Sequence, residues 1–183
     1  MNLLGIAGSL RKDSLNKKLL ACAAAMAREM GREMRIADLS DVPLYNGDVE
    51  AAGLPPGVAA FREELKWADA IVIATPEYNN SFPGVLKNAI DWGSSRGNCW
   101  DGKVLALMGA TPGNFGTVMA QAQLRNIFNI LNAFIVPFPF VYVPRAHEAF
   151  NADGSLNNAM AAENMKNLLG RLFQVTEALK QRP

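Results

Sequence analysis

Histidine and cysteine are almost missing: the 183 residues include one His, His147, and two Cys, Cys22 and Cys99. Thiols so far apart form neither a metal-binding spacing nor a redox CxxC pair. Both are expected to be reduced, with Cys22 packed in an Ala-rich helical stretch. His147, in PRAHEAF, is expected to have a structural or surface role. No nucleophile–base arrangement, paired-carboxylate motif or metal cluster can be found. Charge of one sign is not in excess either. Lys and Arg total 18 against 17 Asp and Glu, a net charge of +1, which argues against nucleic acid as a partner. No run approaches the roughly 20 apolar residues that span a bilayer. The opening MNLLGIAGS lacks a basic n-region and passes straight into Gly-Ser turn chemistry. It reads as a first strand, so the expectation is a cytoplasmic protein with no membrane partner.

What is present is a core. Half the residues are hydrophobic, enough for one compact domain spanning residues 1–183. Short apolar runs alternate with helical periodicity. Residues 3–7, 34–39, 70–75, 103–109 and 134–143 read as strands. Residues 15–30, 58–67, 83–92, 117–132 and 155–180 read as helices, and residues 41–56, with Pro43, Asn46-Gly47, Gly53 and Pro55-Pro56, as loop. The run AIVIAT at residues 70–75 suits a central parallel strand covered on both faces. Pro137 and Pro139 put the last strand at a sheet edge or make it irregular. Ser81 is a candidate helix N-cap, and Lys87 and Asp91 form an i,i+4 pair. Five strands alternating with five helices give an α/β fold, a flavodoxin-like three-layer sandwich with a parallel sheet of order 2-1-3-4-5. Ligands of such sheets sit outside the carboxyl ends of the strands where the order reverses, so the loops after strands one, three and four carry the interest.

The first of these loops reads GSLRKDSLN, residues 8–16, and is rich in hydroxyls and cations at a helix start. Unpaired N–H groups there favour a phosphate, with Ser9, Ser14 and Asn16 as side-chain donors and Arg11 as a charged fork. A plain alternative is that Ser14 only caps the helix while Arg11 and Lys12 are solvated. The loop after strand three, PEYNNSFPG at residues 76–84, offers an aromatic ring at Tyr78 and an amide at Asn79 to a flat ligand. Its alternative is a capping turn with an exposed tyrosine.

Together, GSLRKDSLN and PEYNNSFPGVLKNAIDW resemble the NADPH-dependent FMN reductases, which include chromate-, quinone- and azo-reducing members; the resemblance covers most of the chain. It implies tightly held FMN, NADPH or NADH as electron donor, and a homodimer or homotetramer. On matching positions, Ser9, Arg11, Ser14, Leu15 and Asn16 would hold the FMN phosphate, and Pro76, Glu77, Tyr78 and Asn79 the isoalloxazine. In the loop after strand four, Phe115-Gly116-Thr117 stands where the family usually has a paired glycine, and Thr111, Gly113 and Gly116 are its candidates for flavin contact. The implied chemistry needs no catalytic side chain. A nicotinamide delivers hydride to the flavin and leaves, and a small acceptor (quinone, azo compound, flavin or metal oxyanion) takes its place, which gives ping-pong kinetics. The competing readings are a flavodoxin-type electron carrier and a flavin-binding redox module without its own turnover. The near-neutral charge offers no acidic docking face for the carrier.

Overall fold

Strands buried on both faces must be apolar throughout, and three of them are. The computed structural model, which describes residues 1–181, places β1 (Leu3–Ala7), β3 (Ala70–Ala74) and β4 (Val104–Ala110) side by side with every residue buried. β2 (Met34–Ala37) flanks β1, and the order is β2-β1-β3-β4-β5, all parallel. Alternation along each strand sorts the side chains into two cores. Leu3, Val72, Val104 and Met108 meet α1 (Leu15–Glu29) and α6 (Ala159–Lys180). Leu4, Ile6, Ile71, Ile73, Leu105 and Leu107 meet α3 (Pro56–Trp67), α4 (Gly84–Ser94) and α5 (Val118–Ile130).

The last strand is broken in two. β5 (Phe134–Ile135) pairs with Val104 and Leu105 at the start of β4, and β6 (Val141–Val143) pairs with Met108 to Ala110 at its end. The Val136 N–H still donates to the Leu105 carbonyl, and residues 137–140 leave the ladder, where Pro137 and Pro139 have no N–H to donate. At the other edge, β2 is four residues long, and Arg35 lies over the Trp67 ring at 3.9 Å.

Three sequence expectations need correction. The stretch 41–56 contains α2 (Gly47–Ala52), capped by the Asn46 side chain on the Asp48 N–H; none of its residues is buried, so it leaves no periodic pattern. The last helix begins at Ala159 rather than residue 155, with Asn158 accepting from the Ala161 N–H. Ser81 does not cap α4: the N-cap is Pro83, and Ser81 belongs to a hairpin turn described below. Lys87 and Asp91 do pair, at 2.7 Å on an exposed face worth tenths of a kcal/mol. The Cys22 thiol, half-buried, donates to the Gly154 carbonyl, and burial pushes its pKa up. His147 is exposed beside Glu148.

The end of α4 is held by an unusual brace. Arg62 of α3 is 5% exposed, and among the described residues its guanidinium bonds only to backbone carbonyls: Trp92 (2.6 Å), Ser95 (2.7 Å), Arg96 (3.1 Å) and Gly97 (3.0 Å). Arg96 and Gly97 turn the chain away in left-handed conformations, φ +38° and +102°. The cation sits at the negative end of the α4 dipole, which offsets its desolvation.

Candidate active site

The order reverses between β1 and β3, so the loops leaving those strands part there and open a crevice. A cleft of about 200 Å³ lies at this point. Its walls are Ser9, Arg11, Ser14, Leu15 and Asn16 from the first loop, Pro76, Glu77 and Tyr78 from the second, and Ala110, Thr111 and Pro112 from the third. Two turns far apart in sequence therefore meet. Ala110 and Pro112 were not among the sequence candidates; a strand end facing a cleft carries no mark of its own.

At the first loop, capping the helix leaves a hydroxyl donor over. Ser14 is the N-cap of α1, and its Oγ accepts from the N–H groups of Asn16 (3.2 Å) and Lys17 (3.4 Å). Both bonds use oxygen lone pairs, so the hydroxyl proton is left to donate. Ser9 is buried, its Oγ accepting from the Arg11 N–H at 3.4 Å, while the Arg11 side chain is exposed at the rim. Asn16 also has a tertiary role with no local signature. Its side-chain amide donates to the Ala110 carbonyl (2.8 Å) and accepts from the Ala110 N–H (2.9 Å), lashing the start of α1 to the end of β4.

At the second loop, Tyr78 and Ser81 exchange both backbone bonds, at 2.8 and 3.0 Å, around Asn79 (φ +51°) and Asn80 (φ +59°). Two consecutive positive φ values define a type I′ turn, and asparagine tolerates them better than other non-glycine residues. The turn carries Tyr78, about half exposed, at the cleft and places Asn79 beyond the lining residues. Among the described residues, the Asn79 and Asn80 N–H groups make no hydrogen bond. The turn is fastened to α5: Ser81 Oγ lies 2.6 Å from Gln123 Oε1, and Gln123 Nε2 donates to the Asn80 carbonyl (2.9 Å). Glu77 turns its carboxylate to the Ala120 N–H at 2.9 Å.

In the third loop only Thr111 of the three candidates lines the cleft, and its N–H is held by the Val143 carbonyl. The Gly113 carbonyl accepts from the Arg145 N–H. Gly116, at φ +73°, lies under Tyr142, where a Cβ would come within 2.7 Å of the Tyr142 Cβ. Thr117, standing in the usual glycine place, is fully buried with φ +112°, a strained conformation for a β-branched residue. Its Oγ1 accepts from Gln121 Nε2 at 3.0 Å.

A second cleft, about 330 Å³, opens on the far side of Ser9 between α1 and β2, lined by Leu10, Lys17, Ile36, Asp38 and Leu39 among others. Hydrogen bonds from the Ser40 N–H and hydroxyl hold the Asp38 carboxyl below its ordinary pKa. This cleft lies by the β1–β2 pair, away from the strand reversal. Among the described residues no three His, Cys, Asp or Glu side chains cluster as a metal site, and no helix is long and apolar enough to cross a membrane.

The 2-1-3-4-5 parallel sheet with its cleft at the reversal defines a flavodoxin-like α/β protein. Residues 1–148 match the family model of the NADPH-dependent FMN reductases, and the chain belongs to that family. It is 43% identical over 173 residues to an NAD(P)H-dependent FMN reductase of Pseudomonas aeruginosa, covering 94% of this chain and 93% of the relative. A quinone reductase of Pseudomonas putida is 37% identical over 155 residues, 84% of this chain and 83% of the relative. Among solved structures, the flavoenzyme NAD(P)H:(acceptor) oxidoreductase FerB of Paracoccus denitrificans superposes with a TM-score of 0.87 at 35% identity, with 97% of each chain covered. The chain is thus an NAD(P)H-dependent flavin oxidoreductase that works with FMN.

Proposed function

We propose that the cleft between the first and second loops holds FMN, phosphate toward residues 9–16 and ring toward residues 76–79, and that a nicotinamide donor and a small quinone-type acceptor use one open face in turn. The observation that carries this is the meeting of a turn bearing hydroxyls and a cation and an aromatic-bearing turn at the strand reversal. The donor set fits a phosphomonoester: the Leu15 N–H, which the Ser14 cap does not use, the Ser14 hydroxyl proton and Arg11 all belong to residues lining one end of the cleft. At the other end, the lining Tyr78 offers its ring to the flank of the flavin, and the Asn79 N–H, which has no partner among the described residues, stands just outside the lining for a polar ring edge to reach.

FMN, when bound, supplies the two-electron chemistry between donor and acceptor. The chain's part is to bind and orient, and among the lining residues no nucleophile–base pair is needed for that. A quinone acceptor is supported by the names of relatives such as the Pseudomonas putida quinone reductase. Anaerobic addition of NADPH to the purified protein should bleach a flavin spectrum, and a quinone should restore it over many turnovers. A protein bleached only by a partner reductase would be a carrier instead.

Arg11→Ala removes a charge-assisted contact and should weaken FMN binding by about 1.5–3 kcal/mol. Fluorescence titration of the apoprotein with FMN measures this. Equal affinity in variant and parent would take Arg11 out of the site.

A further inference from the structure

The helix α5 starts without a cap of its own. Its N-cap residue, Thr117, is in a left-handed conformation, makes no side-chain capping bond and spends its Oγ1 on Gln121. The N–H groups of Val118, Met119 and Ala120 precede the first intrahelical bond, which runs from the Gln121 N–H to the Thr117 carbonyl. One of them is satisfied from elsewhere in the fold. Glu77, 43 residues earlier and in the second loop, brings its Oε2 to the Ala120 N–H at 2.9 Å. Ala120 is the third residue of the helix, the position that a Ser, Thr or Asp at the N-cap would normally serve.

We propose that Glu77 is a positioning residue that works as a cap supplied across the fold: its carboxylate holds the start of α5 against the second loop and thereby fixes the width of the ring end of the cleft. The geometry separates this role from direct contact. Glu77 lines the cleft through its place in the loop, yet its carboxylate is engaged with the helix. The two further ties described above, Ser81 with Gln123 and Gln123 with the Asn80 carbonyl, run between the same two segments. Residues 76–81 and 117–123 are thereby bolted together at two levels, with Glu77 nearest the strand ends. The charge also matters. A carboxylate at a helix N-terminus is neutralised in part by the helix dipole, so it can stand beside a flavin site without adding a full negative charge there.

This inference rests on the reading of the cleft as the FMN site. Its test uses the full chain as Glu77→Ala, which removes the acceptor, and Glu77→Gln, which keeps an oxygen for the Ala120 N–H. Two quantities are read on each: amide hydrogen exchange at residues 118–120, and FMN affinity by titration of the apoprotein. Glu77→Ala should speed exchange at the start of α5 and weaken FMN binding, each by about tenfold. Glu77→Gln should keep most of the protection and most of the affinity. Weaker FMN binding in both variants with unchanged exchange would mean that the carboxylate touches the ligand directly, and the proposal fails. Unchanged exchange and affinity in Glu77→Ala would also overturn it. If Glu77→Ala does not fold, the glutamine variant decides: affinity lost despite retained exchange sinks the proposal, while both retained supports it. A parent apoprotein that binds no FMN would instead refute the cofactor reading, leaving the exchange result to stand by itself.

Discussion

Arg62→Met should lower the stability of the protein by about 3–5 kcal/mol, the range seen when a buried charge loses its counterpart, because four carbonyl acceptors, one buried and three part-buried, lose their donor at once. The methionine fills much of the space but donates nothing. The carbonyls of Trp92, Ser95, Arg96 and Gly97 then either stay unpaired or pull apart to reach water. In thermal denaturation this corresponds to a fall of roughly 6–20 °C. Arg62→Lys should lie between, since an ammonium keeps the charge but cannot span four acceptors with a planar fork. Urea melts of the three proteins make the comparison. A methionine variant within 1 kcal/mol of the parent, as an order-of-magnitude threshold, would show that the brace is redundant.

Gly109→Ala should be the most damaging change next to the cleft, one residue before the lining Ala110. Gly109 lies in β4 opposite Tyr142, and a methyl group there would collide with Thr117 Oγ1 and with the Thr75 carbonyl oxygen. The second obstacle is backbone of the neighbouring strand region and cannot rotate away. The strands must separate where the second and third loops leave them, so both stability and flavin retention should suffer. Overpacking of this kind costs about 1–3 kcal/mol and occasionally more. Gly113→Ala is the control, because the nearest atom to its added methyl is 3.8 Å away. The double variant Gly109→Ala, Thr117→Gly should recover part of the loss by removing one obstacle and the positive-φ strain of the threonine together. Melting temperature and bound-flavin content of the purified proteins read the result. Full retention of both in Gly109→Ala would contradict the close approach seen at this glycine.

The sheet was largely legible in the sequence because burial on both faces demands unbroken apolar runs, and LLGIA, AIVIA and VLALMGA supply them. The cleft was legible for a related reason: a strand order of 2-1-3-4-5 dictates which loops meet, whatever those loops contain. What stayed hidden has no local pattern. α2 is six residues with none buried. Asn16 finds its partner 94 residues away at Ala110, and Glu77 finds Ala120 across 43 residues; neither amide nor carboxylate announces a tertiary role. The hairpin at residues 78–81 is an intermediate case. Asparagine tolerates the positive φ that both central positions of such a turn require, but the proline and glycine just beyond made a helix start the simpler reading of Ser81. The broken last strand followed from its two prolines, although the resumption of pairing at Val141 did not.

The two margins of the sheet have a consequence for self-association. One is a four-residue strand with Arg35 stacked on Trp67, and the other is split into pieces of two and three residues around a proline-bearing excursion. Neither offers a run of free backbone donors and acceptors long enough to template another chain, so growth by sheet extension into fibrils is blocked at both sides. Any pairing of copies is left to the helical and loop surfaces.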